Sequence, residues 1–345
     1  MKRINYFIVS ILAILVLTSC KENGKFLQSI IGSPYEVLVI VDNKTWKNES
    51  GEALFNLLES DVPSLPQKEP NFNVSHCTPA EFTSLYKPTR NIVFVEVDNA
   101  KYTKGSVIFS SDKWASPQAL VKIVAPDDTT FINLLKANGQ EIINYLVKAE
   151  LDRMKSHFNE HSNENFMAMI QKQFGISLTV PHYINKYKQG KDVFWMSTGS
   201  AEVRQDMLIY SYSYTDIKML TEEYLLQKRD SVNKMFIAGP VEDSYVGTDY
   251  KYDKPVFKEI WVDDKYCAEI RGLWKVYGKA SMGGPFISHT RIDELHQRVI
   301  TIEAFIYAPG KSKRNSIRQL EAVLYTAKLP VVLDDVIITA EKEKK

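Results

Sequence analysis

An α+β fold in two lobes is what this sequence predicts: an N-terminal mixed α/β lobe, then a C-terminal antiparallel sheet packed on helices. Three observations predict it. The first half alternates continuous apolar runs with helical patterns, and the second half changes to strands of alternating apolar and polar residues. Between them, roughly 128–174, lie two segments of 3.6-residue period. With 345 residues, 44% of them apolar and 25% charged, the chain has ample material for a core. Disorder would need fewer large apolar residues and a larger net charge.

The N-terminus comes first. Lys2 and Arg3 precede a mostly apolar stretch from Tyr6 to Leu17, then Leu17-Thr18-Ser19-Cys20. The stretch is short for a span of ~30 Å of hydrocarbon but suits a cleaved export signal. "LTSC" resembles the lipobox of bacterial lipoproteins, in which Cys20 takes a diacylglyceryl thioether and becomes the new N-terminus. A cysteine merely ending a signal peptide is the plainer alternative. Two or more acyl chains hold a bilayer almost permanently, at ~0.8 kcal/mol per buried methylene. The expected organisation is therefore a signal peptide at 1–19, a tether at 20–33, an α/β lobe at 34–174, an antiparallel α+β lobe at 175–330 and a tail at 331–345. The partner expected at Cys20 is the lipid bilayer. The expected location is the cell envelope, and Lys21 favours the outer membrane, with its face left open.

Along the first lobe, "SPYEVLVIVD" (33–42) reads as a strand buried on both faces. "SGEALFNLLES" (50–60) reads as a helix capped by Ser50, and "VPSLPQKEP" (62–70) as neither helix nor central strand. "FNVSHC" (72–77) is a strand, Thr78-Pro79 opens a helix, and "NIVFVEV", "VIFSSDKW" and "LVKIVAP" are further strands. Asp127 or Asp128 caps a long helix, and a second one stops at Gly175. In the second lobe "YCAEIRGLWKV" sends Ala268, Ile270, Trp274 and Val276 one way and Glu269, Arg271 and Lys275 the other, which predicts a sheet with one solvated face. Helices interrupt it at about 217–235 and 312–328.

"RGLWKVYGKASMGGPFISHTRIDE", with "KRDSV", "AGPVEDSY" and "APGKSKRNSIRQLEAVLYTAKLP", resembles domain-of-unknown-function family 4837, predicted lipoproteins of Bacteroidota envelopes. "PYEVLVIVD" with Trp46, "VPSLPQKEPNF" and "RNIVFVEVD" are similar to the same family, so the resemblance spans nearly all of 30–330. It implies an envelope location and one architecture. It implies no activity and supplies no catalytic residues.

Chemistry is sought first in "MGGPFISHTRID" (282–293). Gly283-Gly284-Pro285 suits a tight turn or a close backbone approach. If the chain is extended, His289, Arg291 and Asp293 share a face and could serve as base, anion clamp and orienting carboxylate, with Arg271 and Glu303 joining from neighbouring strands. The plainer and preferred reading is a hairpin whose solvated face carries a salt bridge. "HFNEH" matches H-x-x-E-H, with His157 and His161 one turn apart as weak metal candidates beside Glu160; a solvated helix terminus is preferred. Tyr210, Tyr212 and Tyr214, with Tyr224, Tyr245, Tyr250 and Tyr252, could stack on sugars, though cross-strand packing is the better account. The basic "KSKRN" (311–315) opens a helix, where cations oppose the dipole, and could meet lipid phosphates or an acidic partner, though a solvated loop is preferred. Cys77 and Cys267 could form one disulfide or remain two buried thiols.

No Walker loop, Cys-x-x-Cys pair, G-x-G-x-x-G or G-x-S-x-G is present, and no cofactor is expected. Formal charge is +1, or about −1 once Lys2 and Arg3 are removed, so no global field gathers nucleic acid. The expected function is non-catalytic binding or assembly with an unidentified envelope protein or glycan. The alternative is an envelope hydrolase or transferase working through His289, Arg291 and Asp293.

Overall fold

The computed structural model describes residues 27–333 and 336–338. The expected signal segment, Cys20 and residues 21–26 lie outside the described residues. In the first lobe β1 (Glu36–Ile40) is buried almost throughout. It is followed by α1 (Glu49–Leu58). Its cap is Asn48 rather than Ser50: the Asn48 side chain accepts from the Ser50 and Gly51 amides, while Ser50 Oγ donates to Asp128 at 2.7 Å.

After β2 (Asn73–Cys77) the helix expected from Thr78-Pro79 does not form. Thr78 and Glu81 make the reciprocal cap, with Thr78 N to Glu81 Oε2 at 2.8 Å and Glu81 N to Thr78 Oγ1 at 3.4 Å. Only one turn closes, because Pro88 ends any helix within a length that is marginal in isolation. The loop returns to β3 (Asn91–Val97), then β4 (Ser106–Ser111) and β5 (Ala119–Ala125). The sheet order is β2-β1-β3-β5-β4, parallel except for β4. Asp127 caps the 33-residue α2 (Asp128–Glu160), and α3 (Glu164–Phe174) ends at Gly175 in the left-handed conformation, φ 65°.

The second lobe builds an eight-stranded antiparallel sheet. Its elements are β6 (Lys186–Gln189), β7 (Val193–Ser197), β8 (Arg204–Ser213), α4 (Glu222–Phe236), β9 (Tyr245–Thr248), β10 (Val256–Val262), β11 (Lys265–Tyr277), β12 (Gly283–Asp293), β13 (Arg298–Tyr307) and α5 (Arg314–Leu324). The order is β9-β11-β12-β13-β8-β7-β6, with β10 also pairing along β11. Gly283 and Gly284 do not make a turn. They lie within β12, where a Cβ on Gly284 would come within 2.0 Å of the Ile306 carbonyl.

The layers stack in a fixed sequence. One face of the first sheet (Val37, Val39, Val93, Val95, Val121, Ile123) packs on α1 and α2, α2 meets α5, and α5 lies on the second sheet through Ile287, Ile302 and Ala304. The far face of that sheet packs Leu208, Tyr210, Ile270 and Phe305 against Leu225 and Leu226 of α4. The expectation of one solvated face in the second sheet is thus corrected: both faces are covered. The alternation itself is as expected, but on its polar face Arg271 meets Glu321 of a helix instead of water, while Lys275 pairs with Asp249 at 3.0 Å and stays partly exposed.

Candidate functional site

The β11–β12–β13 register decides which candidates meet. Glu269 lies opposite His289 and Arg271 opposite Ile287, so Glu269, Arg271, His289 and Arg291 share the face beneath α5. Arg271 is clasped between two carboxylates. Its Nε and Nη2 donate to Glu269 at 2.8 and 3.0 Å, and Nη2 and Nη1 donate to Glu321 of α5 at 2.5 and 3.3 Å. Arg318 extends the chain of charge, donating to Glu321 Oε2 at 2.8 Å and to Asn71 of the first lobe at 3.0 Å. His289 Nε2 lies 3.2 Å from Glu269 Oε2, with the Tyr325 ring packed edge-on against the imidazole.

Burial opposes ionisation of Glu269, yet the Arg271 guanidinium and the His289 hydrogen bond overcome it and hold the carboxyl well below the usual range. Glu321 is lowered against the same burial by Arg271 and Arg318. Burial likewise works against charge on Arg271, but Glu321 and Glu269 raise its pKa well above the ordinary value. Two cations and two anions therefore neutralise one another in a closed seam.

The remaining candidates go elsewhere. Arg291 donates to the Ala327 carbonyl at 2.9 Å and the Val262 carbonyl at 3.3 Å. Asp293 is 1% exposed and engaged by its own hairpin, accepting from Arg298 Nε at 2.9 Å and facing His296 Nδ1 at 2.8 Å. Glu303 does not join the group: it pairs in register with Ser288 and points to the opposite face, where Arg229 of α4 reaches it at 2.7 Å. There burial raises the Glu303 carboxyl and Arg229 only partly offsets this. Arg229 also donates to Thr248 at 2.7 Å and lies 3.6 Å over the Phe286 ring. All five candidates are buried, so the solvated hairpin face is also corrected.

Sequence reasoning missed Glu321, Arg318, Arg229 and Glu69. Glu69 accepts from the Lys313 amide at 2.7 and 3.0 Å and from the Arg314 amide at 2.9 Å, a carboxylate from the first lobe seated on the start of α5. Lys313 and Arg314 are buried there while Lys311, Ser312 and Asn315 are exposed, so only part of "KSKRN" is the solvated segment expected. An anion at a helix N-terminus offsets both the free amides and the adverse cations. A signal did exist in the sequence, since a basic helix start invites an acidic partner, but nothing located that partner.

His157 and His161 are exposed and stack at 4.6 Å; among the described residues no group of three or more His, Cys, Asp or Glu side chains is arranged to hold a metal. Tyr210 and Tyr212 pack under α4, with Tyr224 against Tyr212. Cys77 and Cys267 are two separate buried thiols. Two shallow surface clefts stand apart from the seam. One of about 320 Å³ is lined by Ile31, Tyr86, His76 and Cys77, the other of about 330 Å³ by Asp230, Lys234, Tyr245 and Tyr277. Among the described residues no helix is long and apolar enough to cross a membrane.

A two-domain α+β protein with its titratable centre sealed at the domain junction is the class these features define. Residues 163–326 match the model of the domain-of-unknown-function family DUF4837. Residues 30–159 match a different family model, DUF8532, also a domain of unknown function, which corrects the expectation that a single family covers both lobes. No curated protein matches the chain.

Proposed function

We propose that the chain is an envelope lipoprotein, held on the outer membrane through acylated Cys20, that acts by binding or assembly rather than catalysis. The observation that carries the non-catalytic half is the burial of His289, Arg291, Asp293, Arg271 and Glu303, none of which lines either cleft. A general base must come within hydrogen-bond reach of its substrate, and α5 stands between His289 and any substrate. The anchoring half rests on the charge, apolar run and LTSC of residues 2–20.

The test pairs two variants in the native host. The unaltered protein should stay in the membrane fraction with a diacylglyceryl mass on Cys20, and Cys20→Ser should be released. Equal retention of both, with no acyl mass, would refute anchoring. A folded His289→Ala variant should complement a deletion as well as the unaltered protein does. A folded variant that fails to complement would restore the hydrolase or transferase reading.

A further inference from the structure

The outer face of the first sheet is covered by loops rather than helices. Beneath them Leu38, Ile40, Cys77, Ile92 and Leu120 form a small separate cluster, capped by Phe82 and Trp114. Three large apolar side chains stand out from these loops, with Ile31 48%, Leu85 70% and Tyr86 41% exposed. Ile31 and Tyr86 share one surface, and Leu85 precedes Tyr86 in the same loop. Ile31 N donates to the Pro88 carbonyl at 2.9 Å, and Ile31 and Tyr86 line the same cleft. Gln118 ties the 82–90 loop to the 112–118 loop by donating to the Lys87 and Thr89 carbonyls at 2.6 and 2.7 Å. The second loop brings Trp114, with Lys113 Nζ 4.5 Å from its ring centroid. Apolar tips rimmed by tyrosine, tryptophan and lysine are the composition that suits a membrane–water boundary, where amphipathic rings sit at headgroup depth and lysines reach outward.

The position of this surface supplies the occupant. The described chain begins at Leu27, and Gln28–Ser29 pairs with Ala115–Ser116 on the same loops. Six residues, Lys21–Phe26, separate Leu27 from Cys20. Fully extended at ~3.5 Å per residue, they reach roughly 25 Å. With Cys20 acylated as proposed above, so short a tether would bring the loop face nearer the lipid than α4, which lies at the other end of the stacked layers.

We propose that the surface formed by Ile31, Leu85, Tyr86 and Trp114 docks onto the phospholipid bilayer and fixes the orientation of the body on the membrane. This rests on the anchored reading above. The test uses the full-length acylated protein in vesicles of phosphatidylethanolamine and phosphatidylglycerol containing a spin-labelled lipid quencher. An environment-sensitive fluorophore is placed at Leu85→Cys, or at Gln227→Cys on the exposed side of α4 as control; Cys77 and Cys267 are buried and spared. The fluorophore at 85 should shift to the blue and be quenched several-fold more strongly than the one at 227. Water-like emission at 85 from protein that floats with the vesicles would overturn docking and leave the anchor standing. Equal quenching at both sites would overturn the assigned face. Failure to float, with no acyl mass, would remove the anchored reading itself and docking with it.

Discussion

Arg271 carries the most consequence of any single side chain described. It is the buried cation between Glu269 and Glu321, so removing it leaves Glu269 with His289 alone and Glu321 with Arg318 alone. Breaking a buried ion pair from one side costs about 3–5 kcal/mol, and Arg271→Met is expected to lose that much in denaturant unfolding. Glu269 and Glu321 both have depressed pKa values in the folded protein. Each therefore adds stability that is complete above the ordinary carboxylate pKa of about 4.3 and is lost as pH falls below it. In Glu321→Gln the acid limb of the stability curve should be shallower, and stability at neutral pH lower, when melts are compared across pH 2 to 7. The sequence made Arg271, His289 and Arg291 legible as one face because strand alternation fixes it. It misled on Glu303, whose side depends on its register opposite Ser288. Glu321 was illegible because it reaches Arg271 from a helix 50 positions away.

At the scale of elements, α5 shows how a helix with a basic start is made acceptable. Its amides at Lys313 and Arg314 end on Glu69, 244 and 245 residues earlier, while Arg314 donates to the Pro70 carbonyl at 2.8 Å. Loss of a cap costs about 0.5–2 kcal/mol. Glu69→Ala is therefore expected to lower the melting temperature by an amount matching ~1–2 kcal/mol, with Glu69→Gln intermediate because it keeps one acceptor but no charge. The helix itself was legible from the period of Ile317, Leu320, Val323 and Leu324; its cap was not, because period says nothing about contacts between lobes. The solvated sheet face failed for a related reason. Alternating Glu, Arg and Lys looks the same whether water or the Arg318 and Glu321 of a covering helix satisfies it. The loop at 79–88 failed the other way, since a sound cap at Thr78 cannot extend a helix that lacks length.

For the molecule as a whole, the two family matches divide the chain at 160–162, yet the interior is continuous. One cluster runs from Val37 and Val93 through Ile142 and Leu146 of α2 to Leu320 and Ile302. Calorimetry should therefore record one cooperative transition, with calorimetric and van't Hoff enthalpies equal, where two independent domains would give two. The change of strand rhythm made two lobes legible in the sequence. Their fusion was not, because apolar periodicity identifies an inward face without saying whose interior it enters. That fusion has a consequence for descent. A lineage could not exchange one half for an unrelated module by recombination at 160–162 without baring raw hydrocarbon on both pieces. Each half is the other's missing wall.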